Sequence, residues 1–284
     1  MLFAIISKLL AESLLSLYPI FVKTINIPIG LQLWSRFSTY FVISLFFINL
    51  DFLYKNIFSK NALLLSLITL SHVYFSYRGF QLLESGVAFV LFYTYPIFIL
   101  LFSGDSLRIS ILLSLFGVYL LASEKKETFE TKNRNSTIFK SKKDSEKVKE
   151  IFPYEGIFMI LLASVTEALI YFLVRSIKTD NHWNHMFLSY GLGFILFSCL
   201  FFKDIMNTKI SNVLSVAMII NLVIGLFGYL LRFYAITNLD ARIYSPLSYF
   251  GIIMAYIYGV IFQQDVLTWQ KIIGSVFILI PNFI

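Results

Sequence analysis

Two glutamates stand where glutamates are costly. Glu12 lies inside LLAESLLSLYPIFVK, residues 9–23, and Glu167 inside SVTEALIYFLVRSIK, residues 164–178, both otherwise apolar. A charged side chain in a membrane-crossing helix costs about 2.5–3.5 kcal/mol on insertion scales, so it faces protein or water and marks a pathway or a pairing. Two chemistries suit such a carboxyl: carrying a proton, or closing an intramembrane ion pair. Lys8 lies one helical turn from Glu12, and Arg175 two turns from Glu167. Coupling and pairing therefore both stay open. Lys8, Glu12, Ser16, Pro19 and Lys23 step by three or four residues and share one helix face. Ser164, Glu167, Tyr171, Arg175 and Lys178 do the same.

Further polar groups interrupt apolar runs at helical spacing. His72 and Ser76 lie one turn apart with Tyr77 beside them, and His72 is expected to bind solute, relay protons, or rest against a neighbouring hydroxyl. Asn221, Gly225, Gly228, Tyr229 and Arg232 form a second stripe. Asn221 suits ligand contact or helix–helix glue. Arg232 and Arg78, near segment ends, suit an anion contact or snorkelling to headgroups. Tyr93 and Tyr95 flank Thr94 ahead of Pro96, whose missing N–H frees a backbone carbonyl. Tyr244, Ser245, Ser248 and Tyr249 could line a cavity, whereas Gly251, Ala255 and Gly259 have the spacing of a packing seam. His182 and His185 are spaced to share a metal, but no third ligand accompanies them, and they read as an interfacial loop. No metal, cofactor or nucleotide-binding loop is expected, which leaves ATP out as energy source.

The elements that must position these groups are membrane helices. Of 284 residues, 58% are hydrophobic and 14% charged. Soluble domains are about 25% charged, and no soluble core of this size hides so much apolar surface. One cysteine, Cys199, excludes an intrachain disulfide. The net charge of +7 is no nucleic-acid signature, because nine Lys/Arg against six Asp/Glu fall in residues 124–152 and the rest sit at segment ends. A crossing needs about 20 mostly apolar residues. Ten stretches qualify: 2–22, 31–50, 61–80, 85–103, 106–123, 154–174, 184–202, 212–231, 240–261 and 266–283. The first lacks the charged start and small-residue cleavage site of a leader, and reads as a span. Glu84 and Asp105 mark very short turns, and Asp265 separates the last two spans. Residues 124–152 carry almost no apolar periodicity and read as a flexible charged linker; Asn135-Ser136-Thr137 within it fits a common acceptor triplet.

The two glutamate segments also align with each other. Glu12 meets Glu167, Leu14 meets Leu169, Lys23 meets Lys178 and Thr24 meets Thr179, a shift of 167 − 12 = 155. The same shift pairs Tyr74 with Tyr229, Ile97 with Ile252 and Gly104 with Gly259; Gly117 and Gly274 align at 157. The expected fold is thus an all-α polytopic membrane protein of ten transmembrane helices in two five-helix repeats, 1–123 and 153–284, joined by the 124–152 loop. Five crossings per half force the second half to enter from the opposite side. Such an inverted repeat suits a transporter with its site near the midplane.

Three stretches carry a resemblance: SLYPIFVKTINIPIGLQLWSRF, with a short loop and Arg36 opening the second span; YRGFQLLESGVAFVLFYTYPIFILLFSGD, centred on Pro96; and LRFYAITNLDARIYSPLSYFGIIMAYIYGVIFQQDVLTWQKIIGSVFILI. The chain resembles the EamA branch of the drug/metabolite transporter superfamily. The resemblance implies ten helices, a central cavity and transport of small metabolites such as amino acids or nucleobases. One departure is that Gly251 stands where a match to Pro96 would fall, with Pro246 nearby. The expected function is a secondary transporter of a small organic solute, with a proton as a candidate coupling ion and lipids as its surroundings. No nucleic-acid partner is expected. A membrane-embedded lipid-modifying enzyme and a non-transporting scaffold or receptor are the alternatives. A plasma or inner membrane is expected, an organelle membrane being the other option. The resemblance implies cytoplasmic termini. The basic loop 124–152 argues the reverse by the positive-inside rule, while the remaining loop charges favour cytoplasmic termini.

Overall fold

The computed structural model describes residues 1–25, 27–83, 85–104, 113, 116, 117, 119, 120, 153–208, 215–263 and 268–279. Among these residues every regular element is helical. Most of the expected fifth span, the 124–152 linker with its Asn135 triplet, Glu84, Asp105 and Asp265 lie outside them.

The first apolar run forms two collinear pieces, α1 (Leu2–Leu15) and α2 (Tyr18–Thr24). Pro19, in the first turn of α2, has no N–H to continue the ladder, so the chain breaks at Ser16–Leu17. Ser16 Oγ then lies 2.6 Å from the Glu12 carbonyl and 2.9 Å from the Gly251 carbonyl of a facing helix. α3 (Ile29–Leu45) follows Pro28 and packs on α9 (His182–Leu200) through aromatic pairs such as Phe37–Tyr190 and Phe41–Phe194. Residues 51–56, expected to lie between spans, form with Leu50 the helix α4 (Leu50–Asn56), capped by Asn49 and turned 94° from α5 (Lys60–Leu82). Its outward Leu50 and Tyr54 suit a helix lying at the bilayer surface.

The fourth apolar run is again broken. α6 (Ser85–Phe92) and α7 (Tyr95–Phe102) meet at Tyr93–Thr94, one residue ahead of Tyr95 and Pro96. α8 (Pro153–Ser176) crosses α5 closely: a methyl on Gly156 would meet Leu83 at 2.7 Å. After α9 comes a short exposed helix, α10 (Phe202–Asn207), then α11 (Val216–Asn238). α5 and α11 are both 23 residues long and begin after a serine cap, Ser59 and Ser215, so their shift is 215 − 59 = 156, one more than in the Glu12–Glu167 register. α12 (Ala241–Ser248), α13 (Phe250–Tyr258) and a π turn (Gly259–Gln263) make a third interrupted run, and α14 (Trp269–Leu279) ends the described chain.

Four helical stretches among the described residues are long and apolar enough to cross a membrane: Leu2–Thr24, Tyr154–Ser176, Val216–Asn238 and Ala241–Phe262. The bent α4–α5 pair makes a fifth if taken as one span. Leu, Ile, Val and Phe side chains such as Leu10, Phe46, Ile195 and Phe227 cover the outside, while Lys8, Glu12, Arg36, His72, Glu167 and Arg232 are each at most 2% exposed. A greasy surface around a charged interior is the pattern of a multi-pass membrane protein.

Candidate functional site

The buried charges meet where helices from the two ends of the chain cross. α1 packs along α11, and α5 along α8. These crossings bring Glu12, Arg232, Glu167 and His72 together although 220 residues separate the first pair.

Arg232 is the centre. Its Nη2 donates to Glu12 Oε1 at 3.0 Å and Oε2 at 3.1 Å, and its Nη1 donates to Glu167 Oε1. Glu12 accepts in addition from Lys8 Nζ, from the Tyr93 hydroxyl, and from the Tyr95 hydroxyl at 3.2 Å. Lys8 Nζ also donates to the Tyr95 oxygen at 3.0 Å and lies 3.6 Å from the centre of the Tyr244 ring. A fully buried carboxylate with this many donors satisfies its lone pairs without water. Tyr93 reaches Glu12 because it occupies the α6–α7 break and because Gly251, opposite, has no Cβ; a methyl there would overlap the Tyr93 ring and hydroxyl.

Glu167 is held more sparsely. Beyond Arg232, its Oε2 lies 3.2 Å from His72 Nε2. His72 Nδ1 faces the Ala163 carbonyl at 3.0 Å, an acceptor, so the hydrogen-bond pattern assigns the neutral ring's proton to Nδ1. Nε2 is then left to accept from the Tyr229 hydroxyl at 3.3 Å.

A second buried cation sits one layer away. Arg36 Nη2 donates to the Tyr190 hydroxyl at 3.1 Å and Nη1 to the Tyr77 hydroxyl at 3.4 Å. Its guanidinium carbon lies 4.7–5.8 Å from the ring centres of Tyr18, Tyr40, Tyr77, Tyr190 and Tyr229. Asn221 donates to the same Tyr77 oxygen at 3.0 Å. Gly225 leaves room for the Tyr18 and Tyr40 hydroxyls, which bond each other at 3.0 Å. Between the two arginines lies a cavity of about 20 Å³ measured at water centres, room for roughly one water molecule, lined by Arg36, His72, Tyr77, Tyr229, Arg232 and the three rings of Phe80, Phe89 and Phe92.

Of the residues expected from sequence, Glu12, Glu167, His72, Tyr93, Tyr229 and Arg232 thus converge on one network, and Tyr77 and Asn221 on the Arg36 cluster beside it. Pro96 lies in the first turn of α7, at the helix break. Ser245, Ser248 and Tyr249 are buried in and just beyond α12, where Ser248 donates to the Tyr244 carbonyl at 3.0 Å. Arg232 does not snorkel, and Arg175 does not pair with Glu167: it caps the end of α11 through the Leu239 carbonyl and reaches Asp240 at 3.4 Å. Arg78 pairs with Glu155 at the exposed end of the α5–α8 crossing. His182 and His185 stack at 5.8 Å, and among the described residues no group of three metal-binding side chains forms. From sequence, Lys8 shares the Glu12 face as its pairing partner, and Arg36 marks only the opening of a span. The signal for Arg36 was local, since Gln32, Arg36, Tyr40 and Ser44 step by four residues and make one polar face on that helix.

Residues 154–281 match the model of the EamA-like transporter family. A solved structure, described only as the crystal structure of a protein, is similar over 98% of this chain and 94% of its own, with 13% identical residues and a TM-score of 0.59, which is a likeness of fold alone. No curated protein sequence matches the chain.

Proposed function

We propose, from the premise that residues 154–281 are an EamA-like transporter domain of an integral multi-pass membrane protein, that the whole chain is a secondary transporter moving a small organic solute by alternating access. The observation that carries the reading is Arg232 held at once by Glu12 of the N-terminal half and Glu167 of the C-terminal half. An ion network that joins two halves across a buried cavity is what must open and re-form when the halves rock about a central site.

The packing supports an inverted pair of five-helix repeats, 1–123 and 153–284. Exchanging the halves turns the α1–α11 contact into the α8–α5 contact, and turns α1 on α12 and α13 into α8 on α6 and α7. It returns α3 on α9 to itself, and turns α7 on α12 into α13 on α6. On this reading ten helices cross the membrane with both termini cytoplasmic, in a plasma or inner membrane. The apolar body of the solute lies against Phe80, Phe89 and Phe92, and its polar groups reach Tyr77, Asn221 and Tyr229, with Ser245, Ser248 and Tyr249 along the route.

The proton is the proposed coupling ion, exchanged where His72 Nε2 meets Glu167 Oε2. With Nδ1 already protonated, a second proton on this edge lies between two acceptors 3.2 Å apart, so gaining or losing it changes how firmly Glu167 holds Arg232. Uptake of a labelled metabolite mixture into proteoliposomes, with and without an imposed pH gradient, tests the reading. Solute flux is expected, falling to background in Glu12→Gln and Glu167→Gln. Gradient dependence is expected to vanish in His72→Gln while downhill exchange persists. Chemical change in lipid without solute flux is the result that would replace this reading with an enzyme.

A further inference from the structure

We propose that the solute taken by this site carries one negative charge, a carboxylate seated on Arg36, with its apolar remainder against Phe80, Phe89 and Phe92. The inference rests on the transporter reading for the word solute, and on Arg36 for its chemistry.

Arg36 and Arg232 are equally hidden from solvent but differently matched. Arg232 has two carboxylates in contact, whereas Arg36 has no Asp or Glu within ion-pair distance among the described residues. Phenol oxygens occupy one Nη1 and one Nη2 hydrogen, the former at a long 3.4 Å, and Nε is buried with no hydrogen-bond partner. The five tyrosine faces around the guanidinium offset part of the cost of burying it, since a ring face attracts a cation without neutralising it. A buried charge without an opposite charge is otherwise an expensive arrangement, and the interior tally agrees. Among the described residues Lys8, Arg36 and Arg232 are buried against Glu12 and Glu167, which with His72 uncharged leaves one positive charge in excess.

The shape of the vacancy in bonding selects among anions. The unpartnered Nε–H and the one hydrogen left on each Nη are donors still to be met, and a guanidinium with donors to spare fits the two oxygens of a carboxylate. A singly charged carboxylate brings the interior to neutrality; a phosphate monoester dianion overshoots it. Arg36 and the three phenylalanine rings line the same cavity, so a charged head and an apolar body are provided for side by side. In the present closed form that cavity holds about one water, and a solute enters only as the halves part.

The test measures binding on the full chain, purified in detergent, by thermal unfolding. The probes are sodium acetate, benzoate and 3-phenylpropanoate, each against its amide, with sodium chloride at equal ionic strength. The carboxylates are expected to raise the midpoint by about 2–4 °C at roughly tenfold excess over Kd, more for the larger bodies, while amides and chloride do not. Arg36→Gln is expected to abolish the shift, and the empty variant to unfold at or above the wild-type midpoint, because it deletes an unmatched buried charge. Arg36→Lys, which keeps the charge and loses the fork, is expected to retain a reduced shift. The inference is overturned if no carboxylate shifts the midpoint, if amides or chloride match the carboxylates, if the shift survives in Arg36→Gln, or if empty Arg36→Gln unfolds well below wild type. Glutamate-dependent flux without an Arg36-dependent carboxylate shift removes this inference and leaves the transporter reading; the shift without flux does the reverse.

Discussion

Glu12 and Glu167 occupy matching places in the two halves but not matching company. Glu12 has Lys8, Arg232, Tyr93 and Tyr95 around it, and Glu167 has Arg232 and His72. Neutralising Glu12 strands Lys8 and leaves Arg232 with Glu167 alone, so Glu12→Gln is expected to destabilise the protein by about 3–5 kcal/mol, the usual cost of breaking a buried pair. Glu167→Gln strands only part of one and is expected to cost less. Arg232→Gln combined with Glu12→Gln is expected to cost less than the two singles added, as for residues sharing one network. Chemical unfolding in mixed micelles measures all four, and equal losses for the two glutamines would contradict the asymmetry. Both acids were legible from sequence, because a charge in an apolar run is conspicuous. Arg232 was legible as a residue but not as a bridge: its partners lie 65 and 220 positions away, and no local pattern encodes that crossing.

Whole helices show the same division between what neighbours in sequence dictate and what packing dictates. The breaks before Pro19 and Pro96 follow from the missing N–H and could be read directly. The 94° turn between α4 and α5 could not, since residues 50–56 are too few and too mixed to announce a helix without the surface they lie on. Gly251 is the informative case. It looked like part of a packing seam, and in the structure its bare backbone admits the Tyr93 ring that bonds Glu12. Gly251→Ala is expected to destabilise by about 1–3 kcal/mol through overpacking. Tyr93→Phe in the same chain is expected to recover part of that loss by removing the colliding hydroxyl. Unfolding midpoints of the two singles and the double check this; strictly additive losses would mean that the contact is not the cause.

At the scale of the molecule, the repeat in the sequence pairs the two buried acids and none of the three buried bases. Glu12 and Glu167 correspond at a shift of 155, but Lys8 falls on Ala163 and Arg36 on Gly191. Arg232 falls on Tyr77 at that shift, or on Ser76 at the 156 of the α5–α11 caps. Sequence comparison of the halves therefore located the pseudo-symmetric pair and could not locate the residues that make the site one-sided. Two folded states that mirror each other can be isoenergetic only if their contents mirror too. Here the buried positive charges break the mirror, so in the proposed alternating-access cycle the two facing states are expected to be unequal in energy before any cargo arrives. Spin labels at Thr24→Cys and Asn207→Cys in a Cys199→Ala background, both at exposed helix ends, are expected to give one dominant distance in the unloaded protein and a second on adding cargo. Two comparable populations without cargo would contradict it. On the transporter reading, a balanced exchanger idles half open to each side, whereas these unmatched bases give the chain a home position that cargo must push it from.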